Sequence, residues 1–189
     1  AATNKLVRAL PDLRKPTVKT KLASDRGFVW LKRHLTPRQQ YAVNREGIPG
    51  LYFQREERRV YPHGRLGAHF LGFTGTDGIG LAGIEKRFND TLHARTKPLQ
   101  LSIDIRIQHI LHQELSAAVM RFRAVGGTGV VMDAQTGEVI AMVSLPDFDP
   151  NPPNRMPNKA LFNRATMGVY EMGSTFKIFT TAMALDSGV

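Results

Sequence analysis

Apolar residues recur along this chain at two spacings, and each spacing predicts a different element. Near the start, Leu6, Val7 and Leu10 form one helical stripe, Pro11 and Pro16 act as stops, and Val18 and Leu22 continue the pattern. Phe28-Val29-Trp30-Leu31 predicts a short strand. Thr36-Pro37 places a capping hydroxyl before a first-turn proline, so a helix is expected from there to Gly47, where a left-handed residue can end it. The apolar residues at Leu51 to Phe53 and at Val60-Tyr61 predict a strand or hairpin, interrupted by the charged run Arg55-Glu56-Glu57-Arg58-Arg59 and ended by Pro62 and Gly64. Leu66 to Phe73 suggests a short helix. A glycine-rich loop from Thr74 to Gly80 then leads into an amphipathic segment with Leu81, Ile84, Phe88 and Leu92 on one face.

Beyond Pro98 the pattern sharpens. Leu99 to Ile103 alternates like a strand, and Asp104 can cap a helix in which Ile107, Ile110, Leu111, Leu115, Ala118 and Phe122 share a face, stopped by Gly126 and Gly127. Val130 to Asp133, a turn through Gln135-Thr136-Gly137, and Val139 to Val143 predict a β-hairpin. Both of its faces read as apolar, so the helices containing Ile110 and Phe179 are expected to cover it. Residues 146–158 are rich in proline and asparagine and predict an irregular surface loop. A last helix is expected from Gly173-Ser174 to about Gly188. No internal repeat is present, and the order of elements predicts an α+β fold.

Charge divides the chain more sharply than hydrophobicity does. The net charge is +10, but residues 1–100 carry 19 basic and 8 acidic residues while the remainder carry 7 and 8. A domain boundary is therefore expected near residue 100, with one region over 1–98 and another over 99–189. The absence of cysteine excludes thiolate zinc sites, iron-sulfur clusters and thiol catalysis. No run approaches the ~18 apolar residues of a membrane-spanning helix, and Ala1-Ala2-Thr3-Asn4-Lys5 does not resemble a signal peptide, so the chain as given is expected to be soluble.

Candidate chemistry centres on Ser174-Thr175-Phe176-Lys177, of the form Ser-x-x-Lys. If Ser174 opens a helix, Lys177 lies over the same face and its amine can approach the hydroxyl. A neutral lysine can take the serine proton while the oxygen attacks a carbonyl, and one of the first-turn N–H groups can donate to the resulting oxyanion. The tetrapeptide alone is weak, since six serines and nine lysines give about 0.3 matches by chance. A capping serine beside a solvated lysine would look the same.

The surrounding residues carry more. Asn163-Arg164-Ala165-Thr166-Met167-Gly168-Val169-Tyr170-Glu171-Met172-Gly173-Ser174-Thr175-Phe176-Lys177 resembles the active-serine segment of the penicillin-binding proteins. The stretch from Gly129 to Met142, followed by Pro146 and Asp149-Pro150-Asn151, resembles the first two strands of their transpeptidase domain. Arg59 to Gly64, Ala68 to Phe73 and Gly80 to Lys86 resemble the pedestal of class B members, particularly the division-specific FtsI type. The resemblance implies a mixed helix and strand pedestal of the dimerisation type, followed by the opening segments of the catalytic domain: helix, hairpin and active-serine helix.

It also implies a peptidoglycan cross-linking D,D-transpeptidase of bacterial division, with Ser174 as nucleophile, Lys177 as general base and the Ser174 N–H as half of the oxyanion hole. No cofactor or metal is implied. The implied partners are stem peptides, β-lactams, and division-machinery membrane proteins including a SEDS-type glycosyltransferase. The implied location is the periplasmic side of the inner membrane, through an N-terminal anchor that these residues do not contain. The family also carries Ser-x-Asn and Lys-Thr-Gly elements, which do not occur here. The 189 residues by themselves are therefore expected to be incompetent in catalysis.

Other readings compete residue by residue. His109 and His112 have a spacing that could hold a metal, but no third ligand is evident, and both read as helix-surface histidines. His63 and His69 read as local hydrogen-bonding groups. The Arg55 to Arg59 run reads as a solvated strand edge. The basic first half allows a nucleic-acid-binding module, against which its cations are scattered and its aromatics are not interleaved with them. A pedestal or docking module without chemistry is the other alternative, ahead of a β-lactamase or β-lactam sensor.

Overall fold

The computed structural model of the chain describes residues 1–94, 97–151 and 156–188. The chain divides into two compact units, Ala1–Arg58 and Arg59–Val189.

The first unit is built on the predicted apolar stripe. Leu6, within helix α1 (Ala2–Ala9), and Leu10, just past its end, bury against Val18 of α2 (Lys15–Leu22) and Val43 of α3 (Pro37–Arg45). Pro16 does not stop a helix here: it stands in the first turn of α2, where its missing N–H has no partner to lose. Thr36 caps α3 in a reciprocal box, its hydroxyl accepting from the Gln39 N–H while its own N–H donates to the Gln39 side chain. Arg8 donates to both carboxylate oxygens of Glu46 at 2.8 and 2.9 Å, and Lys5 to the Glu46 carbonyl, which ties α1 to the end of α3.

The predicted strands at 28–31 and 51–61 are absent. Side chains hold these segments instead: Lys21 donates to the Trp30 carbonyl, Phe28 meets Trp30 edge-on, and Glu56 pairs with Arg33 and accepts from the His34 N–H. Periodicity had identified apolar, extended-looking segments, but a strand also requires a ladder partner, which these lack.

In the second unit, a 3₁₀ turn at Gly64–Gly67 runs into α4 (Ala68–Leu71). The glycine-rich loop closes through a single bridge between Thr74 and Gly80. The predicted amphipathic helix at 81–92 is broken into α5 (Gly83–Arg87) and α6 (Asn89–Ala94). Gly83 has φ +57° and lies so close to α4 that a Cβ would sit 2.6 Å from the Phe70 carbonyl oxygen, so no other residue fits there.

The centre of the unit is α7 (Ile105–Arg121) packed on an antiparallel hairpin of β1 (Gly127–Met132) and β2 (Val139–Leu145). Asp104 caps α7 as expected, accepting from the Arg106 N–H. A bulge between Val131 and Met132 shifts the register next to the turn, which Asp133 shapes by accepting from the Gln135 and Thr136 N–H groups. The predicted strand at 99–103 is not one. Its neighbourhood reaches β2 through a bond from Asp104 N–H to the Ile140 carbonyl and one from the Ser102 hydroxyl to the Val139 carbonyl.

The α7 face that meets the sheet is rotated from the predicted one. Ile107, Ile110 and Phe122 are exposed, while Leu111 and Leu115 lie over Gly129 and Gly127, whose lack of side chains lets the helix approach. Gln108 is the buried residue on that face, at 1% exposure. Its amide nitrogen donates to the Met142 and Leu66 carbonyls at 2.7 and 2.8 Å, and its oxygen accepts from the Met142 N–H at 2.8 Å. A side-chain amide thus substitutes for a third strand on the outer edge of β2. The loop after β2 also turns inward: Phe148 buries with Ala68 and with Ala160 of α8 (Asn158–Leu161). Residues 146–158 are expected to be a surface loop, and among those described Phe148 departs from it, because its aromatic ring supplies apolar area worth burying.

Candidate active site

The predicted serine helix forms, in two parts. Gly173–Phe176 is a 3₁₀ turn, and α10 (Lys177–Asp186) continues from it. Gly173 has φ +53°, the left-handed bend that lets the chain enter the turn. Ser174 lies within that turn and Lys177 is the first residue of α10, so the two sit three apart along continuous helical backbone, as neighbours on its surface. The sequence pair is thereby brought onto one face. Among the described residues, neither the Ser174 hydroxyl nor the Lys177 amine forms a hydrogen bond or ion pair, and both residues are exposed.

The surroundings of this pair differ from expectation. Phe176, Ile178, Phe179, Met183 and Leu185 are each more than 60% exposed, and Phe176 meets Phe179 with ring centroids 5.4 Å apart. The helix of Phe179 does not cover the hairpin, as its apolar pattern had suggested. Of the two helices expected to do so, only α7 packs there, and through residues other than Ile110.

What precedes the serine is better held. Asn163 caps α9 (Arg164–Met167) by accepting from the Ala165 N–H, and its amide donates to the His69 carbonyl. Ser144, buried in β2, accepts from the Arg164 N–H at 2.9 Å. Tyr170 donates to the Arg164 carbonyl at 3.3 Å.

A second group of polar residues lies beside the end of β2. Asp147 pairs with His112 at 2.7 Å and with Arg65 at 3.1 Å, while His69 contacts the Pro146 carbonyl. His112 is therefore not a surface histidine, since it is largely buried against a carboxylate; His109 is exposed. His69 hydrogen-bonds locally, and burial pushes its imidazole pKa below the ordinary value. Arg59 donates to the buried Glu85 carboxylate through Nε and Nη2 at 2.8 and 3.0 Å, so that end of the charged run is a fixed ion pair and not a solvated edge. Sequence reasoning missed Gln108, Ser144 and Asp147. Only Asp147, beside a proline after a strand, carried even a weak signal.

Comparison with known proteins now decides the family. Residues 2–106 match the penicillin-binding protein dimerisation domain, and residues 127–189 match the penicillin-binding protein transpeptidase domain. The chain belongs to the penicillin-binding proteins. Among its relatives are the probable peptidoglycan D,D-transpeptidase FtsI of Caulobacter vibrioides, 42% identical over 97% of this chain and 32% of that protein, and the peptidoglycan D,D-transpeptidase FtsI of Escherichia coli K12, 33% identical over 86% and 32%. The probable peptidoglycan D,D-transpeptidase PenA of Neisseria gonorrhoeae is 36% identical over 86% of the chain. This penicillin-binding protein chain thus spans about a third of the length of the curated relatives it matches. A peptidoglycan synthetase from Bifidobacterium adolescentis shares the fold, with a TM-score of 0.61 at 22% identity over 98% of this chain and 38% of that one.

Proposed function

We propose that these residues are the pedestal and the opening of the catalytic domain of a class B, division-type peptidoglycan D,D-transpeptidase, with the pedestal over 1–98 and the catalytic opening over 99–189. The observation that carries the reading is the Ser174 to Lys177 spacing, the serine in a 3₁₀ turn and the lysine at the start of α10, inside the stretch that matches a transpeptidase domain. Lys177 takes the Ser174 proton as Oγ bonds to the penultimate D-Ala carbonyl carbon of a stem peptide. The Ser174 N–H donates to the oxyanion. Collapse breaks the C–N bond, the lysine returns its proton to the departing D-Ala amine, and an acyl-serine remains. The amine of a neighbouring stem then attacks the ester carbonyl, losing a proton to Lys177, and Ser174 leaves with that proton restored. A β-lactam enters by the same first step and stays on Ser174.

The protein acts at the periplasmic face of the inner membrane with other division proteins, a SEDS-type glycosyltransferase among them. No described helix is long and apolar enough to cross a membrane. The 189 residues alone are inactive on this reading, for the pair is open to solvent and the Ser-x-Asn and Lys-Thr-Gly elements do not occur among them. That same exposure favours a second reading, a docking module without chemistry.

Fluorescent-penicillin labelling separates the two. The full-length gene product labels, Ser174→Ala abolishes labelling, and Lys177→Ala slows it by orders of magnitude, on the order of 10²–10⁴. Labelling that survives Ser174→Ala removes the nucleophile assignment, and a full-length product that never labels leaves the docking module.

A further inference from the structure

The route from the buried sheet to the nucleophile passes through few contacts, and they form a chain. Ser144, 1% exposed in β2, accepts the Arg164 N–H at 2.9 Å and reaches the Phe162 carbonyl at 3.5 Å. Its hydroxyl therefore fixes the backbone of the first residue of α9. Arg164 forms no ion pair among the described residues; its guanidinium lies over the Phe162 ring, 5.7 Å from the centroid, and its backbone N–H is what ties it to the sheet. Its carbonyl accepts from the Tyr170 hydroxyl, which folds residues 165–170 back on themselves. Gly168 belongs to this loop for reasons of space and not of backbone angle. Its φ is an ordinary −74°, but a Cβ there would meet the Tyr170 ring and come within 2.6 Å of the Arg164 carbonyl oxygen. From Met172 to Met183 every residue is exposed. Among the described residues, the Tyr170 to Arg164 bond is thus the last side-chain hydrogen bond before Ser174.

We infer that Ser144 and Tyr170 are positioning residues for Ser174, holding the serine turn at a fixed distance from the sheet through the backbone of Arg164. The inference rests on the reading of Ser174 as the nucleophile and adds residues to it. Acyl transfer requires the attacking oxygen within about 3–3.5 Å of the carbonyl carbon along the right line, and small misplacements lower the rate without weakening ground-state binding. Neither residue touches the reacting atoms, so the loss belongs in the acylation rate constant and not in the affinity of the preceding complex.

The test is stopped-flow acylation of the full-length gene product by a chromogenic cephalosporin, separating the rate constant from the dissociation constant of the initial complex. Tyr170→Phe removes one oxygen at a half-exposed site and is expected to lower the rate constant about fivefold to tenfold, with the dissociation constant unchanged, in keeping with the loss of one hydrogen bond that holds the turn in place. Ser144→Ala and Gly168→Ala are expected to lower it at least as much. Thr166→Ala, in the same segment with a free side chain, is expected to change nothing. A wild-type rate constant in Tyr170→Phe, or a loss explained wholly by weaker initial binding, overturns the inference while leaving Ser174 in place. Acylation that persists in Ser174→Ala overturns the nucleophile reading instead, and this inference with it.

Discussion

Gln108 carries more of the fold than its residue type suggests. Three hydrogen bonds converge on one fully buried amide, and two of its partners are main-chain groups of a strand edge. Gln108→Ala leaves the Met142 N–H and two carbonyls unpaired, and is expected to cost about 1–3 kcal/mol in denaturant unfolding. Gln108→Glu is expected to cost more at neutral pH, because it turns an acceptor toward the Leu66 and Met142 carbonyls and buries a charge. Equal stability of the two variants would show that the amide is not donating to both. Titration adds a second prediction at this scale. Burial depresses the His69 pKa, so the unfolded chain takes up a proton first, and stability present above pH ~6.5 is lost as pH falls from there. Burial raises the Tyr61 pKa, so the folded chain keeps a proton that the unfolded chain releases, and stability declines as pH climbs above ~10. Unfolding free energy is therefore expected to be highest between these limits, and His69→Gln to flatten the acid shoulder. Stability that rises on going from pH 7 to 5.5 would contradict this.

Glycine decides how closely α4 and α5 approach. At Gly83 a positive φ and a backbone oxygen 2.6 Å from any Cβ act together, so Gly83→Ala is expected to destabilise by more than ~2 kcal/mol, read as a lowered thermal midpoint. Gly137→Ala also has a positive φ but open space, so it is expected to cost about 1 kcal/mol. Similar losses at both sites would mean that the crowding is relieved elsewhere. Elements of this kind also mark where sequence was readable. α1, α3 and the 127–145 hairpin follow from apolar spacing, a capping threonine before a first-turn proline and a turn through Gln135-Thr136-Gly137, all of which act within a few residues. The strands expected at 28–31, 51–61 and 99–103 failed because pairing is a long-range property and no ladder partner is written in the segment itself. The rotation of α7 escaped for a related reason: its sheet-facing side centres on Gln108, whose polarity reads as solvent until its three partners are known. At the site, local sequence identified the Ser174 and Lys177 spacing, whereas Ser144 and Asp147 became visible only once β2 brought distant residues beside α9 and α7.

Across the molecule the positive charge is concentrated early, with 13 basic and 5 acidic residues in the first 58. Several of these cations are engaged locally, Arg8 with Glu46, Lys32 with Asp12 and Arg33 with Glu56, which leaves the remaining charge scattered. Any DNA binding is therefore expected to be non-specific and to vanish at moderate salt, as counterion release requires, in a fluorescence anisotropy titration. Salt-resistant preference for one oligonucleotide would revive the nucleic-acid reading. The central claim is that Ser174 is acylated in the protein the cell makes, and peptide mapping addresses it most directly. Trypsin cuts after Arg164 and Lys177, releasing Ala165–Lys177 with the serine inside. After incubation of the full-length gene product with a penicillin, that peptide is expected to carry one penicilloyl adduct, with fragment ions placing it on Ser174 and neither on Thr166 nor on Thr175. An unmodified peptide from fully inhibited protein, or an adduct on another residue, would contradict the account.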